Sequence, residues 1–78
     1  MTINQNVTIS INNRVRLWIN NDYELYTIAK TGDIEALRNA IYNRHEIMEE
    51  LRRNVNPLID PMRLVSFKMI VNDILEAL

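Results

Sequence analysis

The chain has 78 residues, of which 47% are hydrophobic, and its formal net charge at pH 7 is -1. It contains no cysteine, which excludes disulfides and thiolate metal sites, and its charge is too small to steer nucleic acid to the whole surface. A chain of this size buries only about 60% of the surface that its unfolded form exposes. We therefore expect a homodimer or larger assembly, or another bound partner, to supply additional stability.

Apolar and polar side chains alternate over residues 1–11. The apolar side holds Ile3, Val7, Ile9 and Ile11, and only Gln5 interrupts it. Alternation with β-branched residues predicts a half-buried strand, and no second segment of this kind follows. This N-terminal strand or extended arm would pair with its own copy in a dimer, add to the sheet edge of a target that buries Val7, Ile9 and Ile11, or stay frayed in solution.

The spacing of apolar residues changes at Asn12, where a helical domain of residues 12–78 begins. Val15, Trp18 and Ile19 share one face of a first short helix, and Asn12 or the asparagine after it can cap the start. The sequence therefore predicts a change from strand to helix at this point.

A second short helix is predicted to begin after Asp22, whose carboxylate can cap it. It ends at Gly32, the only glycine of the chain. Glycine adopts the left-handed conformation that helix C-terminal caps require, so we expect a positive φ there. Asp33 begins the next helix directly.

Two longer helices follow. The first is predicted over residues 34–54 from a 3-4 alternation of apolar residues, with Arg44 at the one position where an apolar side chain is missing. Asp60 and Pro61 form the cap and first position of the last helix, which extends to about Ala77 and is apolar around most of its surface. The least exposed side chains are expected to be Trp18, Leu37, Ile41, Phe67, Ile70 and Ile74.

The predicted fold is mainly α: a small bundle of about four helices, two short and two long, with the short N-terminal strand or arm of residues 1–11. The last helix is expected at its centre. No apolar run is long enough to cross a bilayer, and the first residues lack the pattern of a signal peptide. The sequence therefore predicts a cytoplasmic protein.

Residues that carry chemistry are sparse. His45 and Glu49 are spaced to share a metal ion or a proton on one helix face, but a metal site needs a third ligand, and there is no second histidine. Phosphate-binding loops need several glycines, and neither serine has a base to activate it. We expect no metal, no cofactor and no enzymatic activity.

The only basic clusters are Arg14 with Arg16 and Arg52 with Arg53. Guanidinium groups bind phosphate and protein carboxylates alike. Three interpretations stay open: a solvated surface, a contact with a protein, and, least favoured, a contact with nucleic acid.

Residues 15–26 read Val-Arg-Leu-Trp-Ile-Asn-Asn-Asp-Tyr-Glu-Leu-Tyr. This segment resembles a motif, Val-x-Leu-Trp-Ile-x-Asn-Asp followed after two or three residues by Leu-Tyr, in a family of short uncharacterised proteins of bacteriophages, plasmids and other mobile elements. The matching positions are Val15, Leu17, Trp18, Ile19, Asn21, Asp22, Leu25 and Tyr26. The resemblance implies a viral or mobile-element origin and supplies no activity.

The motif has two physical interpretations. Leu17, Trp18, Leu25 and Tyr26 can form a packed corner between two short helices. Alternatively, Trp18, Tyr23 and Tyr26 form an aromatic patch of the kind that anchors protein interfaces.

Two functions follow as hypotheses. The first is a non-enzymatic interaction protein of a phage or mobile element, which binds a host protein in the host cytoplasm and inhibits a defence or regulatory system. The alternative is a small dimeric regulator associated with nucleic acid, which would use the two arginine clusters. An affinity for DNA that depends on salt would favour the second.

Overall fold

The computed structural model describes residues 5–78, which form five α-helices and one short 3-10 helix. The helices are α1 (Gln5–Asn21), α2 (Tyr23–Lys30), α3 (Ile34–Tyr42), α4 (His45–Arg52) and α5 (Phe67–Glu76), and the 3-10 helix is Pro61–Leu64. The mainly helical class is confirmed for this part of the chain. The number and lengths of the helices differ from the prediction, since α1 has 17 residues and the other helices have 10 or fewer.

The predicted N-terminal strand is wrong for residues 5–11, because α1 runs through them without a break; residues 1–4 lie outside the described residues. The inward-facing apolar residues of α1 recur at every fourth position: Val7, Ile11, Val15 and Ile19. A spacing of four is also a multiple of two, so this pattern fits a strand and a helix equally well. Ile9 distinguishes a strand from a helix. A strand would bury Ile9 on the same side as Val7 and Ile11, whereas in α1 it is 51% exposed.

Asn12 lies inside α1 and does not cap a helix, and neither does Asn13. The amide of Asn12 donates to the carbonyl of Leu64 at 2.9 Å, and its Oδ1 accepts from the backbone N–H of Ser66 at 2.7 Å. A continuous last helix would have bonded these backbone groups internally. Because Asn12 bonds them instead, the predicted helix of residues 61–77 is divided into the 3-10 helix, two residues without helical structure, and α5.

The predicted helix of residues 34–54 is also two helices, with a corner at Asn43 and Arg44. Asn43 keeps helical dihedral angles, whereas Arg44 is extended, with φ -95° and ψ 96°. In a continuous helix, the apolar spacing would direct the guanidinium of Arg44 toward the core, where an unpaired charge is costly. The corner allows the side chain to reach carboxylates instead.

The helix starts predicted at Asp22, Asp33 and Asp60 and the glycine turn are confirmed. One carboxylate oxygen of each of Asp22, Asp33 and Asp60 accepts a hydrogen bond of 3.0 Å from a backbone N–H two or three residues ahead. Gly32 follows α2 and has φ 79°. These features depend on neighbouring residues alone, which is why local sequence patterns predict them.

All five helices contribute to one hydrophobic core. Five of the six residues expected to be least exposed are buried, while Trp18 is half-buried. α5 is not at the centre of the bundle, because Met69 is 58% exposed and Leu75 39% exposed. It packs one face against α2 and α3 and turns the other to solvent.

Candidate interaction surface

Trp18 connects α1 to α4 through a carboxylate. Its indole N–H donates to Oε2 of Glu50 at 2.7 Å, and Arg14 donates to the other oxygen of Glu50 at 3.0 Å. Hydrogen bonds to an ionised carboxylate are roughly twice as strong as those between neutral groups. Glu50 therefore fixes both side chains on the surface of the bundle.

A shallow cleft lies between α1 and α4, lined by Arg14, Leu17, Trp18, Asn21 and Glu50. Its volume is about 230 Å³, which is below the roughly 300 Å³ at which pockets for small molecules begin. Leu17 provides an apolar wall and is 54% exposed. A cleft of this size has room for one side chain of a protein partner.

The three aromatic residues of the predicted patch differ in exposure. Trp18 is held by Glu50, and Tyr26 packs against the core, with the ammonium of Lys30 5.2 Å from the centre of its ring. Tyr23, the first residue of α2, is 88% exposed. Of the three, Tyr23 alone offers its whole side chain to a partner.

The three N-terminal candidate residues, Val7, Ile9 and Ile11, also differ in exposure. Ile11 is fully buried and Val7 is half-buried, because both belong to the inner face of α1. Because residues 5–11 are helical in this structure, the strand that would add to a sheet edge is absent from them, and Ile11 has no surface to offer to a target. Ile9 remains exposed on the outer side of the helix.

Three of the four clustered arginines make ion pairs. The pairs are Arg14 with Glu50 (3.0 Å), Arg16 with Asp73 (2.8 Å) and Arg53 with Glu49 (3.5 Å). Arg52 makes no ion pair within residues 5–78. A phosphate would have to compete with the carboxylates already bound, so this arrangement does not add support for a nucleic-acid site.

His45 and Glu49 form a contact on the surface of α4. The Nε2 of His45 lies 3.4 Å from the carboxylate of Glu49, and the histidine side chain is 88% exposed. Within the described chain, no three His, Cys, Asp or Glu side chains are grouped to hold a metal ion.

Among residues 5–78, no helix has the length and apolar character needed to cross a membrane.

The α1–α2 corner, at Asn21 to Tyr23, is fixed by Asp22 and Arg44, two residues that no local sequence pattern connects. Oδ1 of Asp22 accepts from the backbone N–H of Leu25, and Oδ2 accepts from Arg44 at 2.5 Å. Arg44 also donates to Glu46 at 2.9 Å. The hydrogen bond from Arg44, and then that from Leu25, lowers the pKa of Asp22 below its ordinary value of 3.8. The only signal in the sequence was an arginine at an apolar position.

A related contact holds the start of the 3-10 helix. Oδ1 of Asp60 accepts from the backbone N–H of Met62, and Oδ2 accepts from the hydroxyl of Tyr42. The hydrogen bond to Asp60 raises the pKa of Tyr42 above its ordinary value. The segment of residues 42–44 therefore binds the caps of two other elements.

Leu58 is the most exposed large apolar side chain away from the α1–α2 corner. It is 90% exposed, in a turn closed by a 2.9 Å hydrogen bond from the N–H of Ile59 to the carbonyl of Asn56. It therefore provides a control of equal exposure for tests of Tyr23.

Neither the scan of protein-family models nor the searches of characterised proteins and of solved structures finds a match to this chain.

Proposed function

We propose that this chain is a non-enzymatic interaction protein of a phage or mobile element, which binds a host protein and inhibits it, the target being a defence or regulatory factor. The observation that carries the proposal is the exposure of Tyr23 at the α1–α2 corner, directly after Asp22 and two residues after Asn21, which lines the cleft. Tyrosine is enriched among the residues that dominate binding energy at protein interfaces.

The backbone that carries Tyr23 is held in place before any partner arrives. Asp22 is bonded to Leu25 and to Arg44, and Trp18 is bonded to Glu50. Association is weakened by each flexible group that must be ordered. A tyrosine at the start of a capped helix loses little freedom on binding, since only its own side chain must be fixed.

The composition of the corner indicates the chemistry of the partner surface. Tyr23 needs an apolar pocket with a polar group for its hydroxyl, and Leu17 needs a further apolar contact. Arg14 and Asn21 supply the polar edge that protein interfaces have around an apolar centre. We therefore infer a folded protein surface as the target.

The test is affinity capture with the full-length chain from the lysate of a bacterial host, followed by quantitative mass spectrometry. We compare the wild type with Tyr23→Ala and with the control Leu58→Ala. A target should be captured by the wild type and the control and be reduced at least about tenfold with Tyr23→Ala, since loss of a dominant side chain weakens binding by about 2 kcal/mol or more. Equal capture by all three chains would contradict the assigned surface.

The same preparations test the alternative, a dimeric regulator that binds nucleic acid. DNA binding that weakens steeply with salt, and further with Arg52→Ala, would favour that function over the proposed one.

Thermal unfolding is the folding control for the capture experiment. An unchanged unfolding temperature of Tyr23→Ala would show that this variant keeps the fold.

A further inference from the structure

Residues 5–78 leave one face of α1 exposed. Its residues are Asn6, Ile9, Asn13, Leu17 and Asn20, and all five are exposed. At 3.6 residues per turn, they lie within about 80° of the helix circumference. We call this set the outer stripe; it faces away from the buried residues Ile11, Val15 and Ile19.

Polar and apolar residues follow each other along the outer stripe in the same order from either end of the helix. Asn13 is at its centre, with an apolar residue four positions before and after it, Ile9 and Leu17. Asparagine stands seven positions before and after it, at Asn6 and Asn20. An interface with two-fold symmetry needs a patch that complements itself in this way, because each copy presents the same surface.

We propose that a second copy of this chain docks its α1 antiparallel on the outer stripe and forms a two-fold dimer. Ile9 then packs against Leu17 of the second copy, and Asn13 meets Asn13 across the axis. A carboxamide both donates and accepts hydrogen bonds, so the two central asparagines can bond each other. A single asparagine pair within an apolar helix contact also favours one register over shifted ones.

The charges of α1 agree with this occupant. The helix contains no acidic residue, and its two arginines flank the outer stripe. Arg14 is bound to Glu50 of α4, and Arg16 is bound to Asp73 of α5. Both guanidinium groups are thus drawn toward their own bundle and neutralised, so that like charges are not brought together between the copies.

This inference goes beyond the proposed function, since it uses Ile9 and Asn13 and does not use Tyr23. It shares Leu17 with the target surface, so Tyr23→Ala, and not Leu17→Lys, is the variant that separates the two. It also assigns the dimer to a surface other than the N-terminal strand, which the sequence predicted to pair with its own copy. A seam of one helix per copy is small compared with the roughly 1,200 Å² of stable complexes. We therefore expect a weak dimer, with a dissociation constant on the order of 100 µM.

The register is tested by single cysteines, since the natural chain has none. A disulfide needs Cα atoms about 4.4–6.8 Å apart. Antiparallel docking brings residue 13 next to its own copy but separates the two copies of residue 20 by about 20 Å, at 1.5 Å per residue. Asn13→Cys should therefore form a disulfide dimer at least about tenfold faster than Asn20→Cys and than the collision control Leu58→Cys.

Two results would overturn the proposal. Crosslinking of Asn13→Cys no faster than that of Leu58→Cys would mean that the outer stripe does not pair. Equal and rapid crosslinking of Asn13→Cys and Asn20→Cys would mean that the helices pair in parallel.

A charge exchange provides an independent measurement by sedimentation. Ile9→Glu alone and Leu17→Lys alone should each weaken the dimer by about tenfold or more, because each brings unpaired charges into the seam. Mixing the two variants should restore association, since the new carboxylate of one copy then faces the new ammonium of the other. Monomeric variants with no recovery in the mixture would refute the antiparallel contact. Dimerisation of Tyr23→Ala should be unchanged, which separates this test from that of the proposed function.

Discussion

Two aspartates, Asp22 and Asp60, each cap a helix with one oxygen and bind a side chain of the segment 42–44 with the other, but their second bonds differ in kind. Asp22 meets the guanidinium of Arg44, in a place where the aspartate side chain is only 18% exposed. Asp60 meets the neutral hydroxyl of Tyr42 in a more exposed position. One local signal, an aspartate before a helix, thus accompanies a sheltered ion pair in one case and a neutral surface bond in the other.

The largest difference should appear when each side chain is truncated. Asp22→Ala removes a cap worth about 1 kcal/mol and a charged hydrogen bond worth about 1.5–3 kcal/mol, so the free energy of unfolding should fall by roughly 2–4 kcal/mol. The change in the free energy of unfolding is measured by urea titration. Asp22→Asn is the matched control, because asparagine still caps the helix while the ion pair is lost. A loss below about 1 kcal/mol for Asp22→Ala would show that Arg44 adds nothing.

A smaller effect is expected at the second aspartate. Asp60→Ala removes a cap and a neutral hydrogen bond, so the free energy of unfolding should fall by about 1–2 kcal/mol. Tyr42→Phe keeps the cap and should cost only about 0.5–1.5 kcal/mol in the same titration. If Asp60→Ala proved more destabilising than Asp22→Ala, the distinction between the two contacts would be wrong.

Acid should weaken the Asp22 contact. Its pKa is lowered in the folded state, so the stability that it contributes is present above about pH 3.8 and is lost as the pH falls from there toward the folded pKa. The measured quantity is the difference in unfolding free energy between the wild type and Asp22→Asn. It should be constant near neutrality and shrink below about pH 4; a difference that is unchanged in that range would contradict the ionic contact.

High pH should weaken the contact between Tyr42 and Asp60 and leave the contact between Asp22 and Arg44 intact. The pKa of Tyr42 is raised in the folded state, so its contribution is present below about pH 10 and is lost as the pH rises through the folded pKa. The difference between the wild type and Tyr42→Phe should therefore decline above about pH 10, while the difference between the wild type and Asp22→Asn persists, because arginine stays charged. A parallel decline of both differences would mean general alkaline unfolding.

The sequence predicted several features that depend on neighbouring residues, but it misassigned residues 5–11, whose spacing of four fits a strand and a helix alike. It also missed the features that depend on distant residues. The caps at Asp22 and Asp60 and the turn at Gly32 are local, and all three were predicted. The break at Arg44 was missed because the aspartate that binds this arginine lies 22 positions earlier in the chain. The break before α5 was missed for the same reason, since the backbone groups that it leaves open are bonded by Asn12, 52 and 54 positions away.

The candidate surface was predicted in part. Trp18, Tyr23 and Tyr26 look alike in a sequence, as three aromatic residues near a helix boundary. Their different exposures follow from tertiary contacts: Glu50 binds the indole of Trp18, and the core covers one side of Tyr26. Tyr23 is exposed because the first turn of α2 places it outward. Helical periodicity would have predicted the outer stripe if residues 5–11 had been recognised as helical.

The two hydrogen bonds of Asn12 have a consequence for the order of folding. They join positions 52 and 54 residues apart, so they close a loop that contains α2, α3 and α4. The entropy of closing such a loop is lost before the bonds can form, unless the intervening helices have already packed. The junction between the 3-10 helix and α5 should therefore be completed late on the folding pathway. Because native unfolding reverses that order, the same junction should open before the packed helices, and the exchange of its amide protons with solvent should be faster than that of the α2–α3 pair.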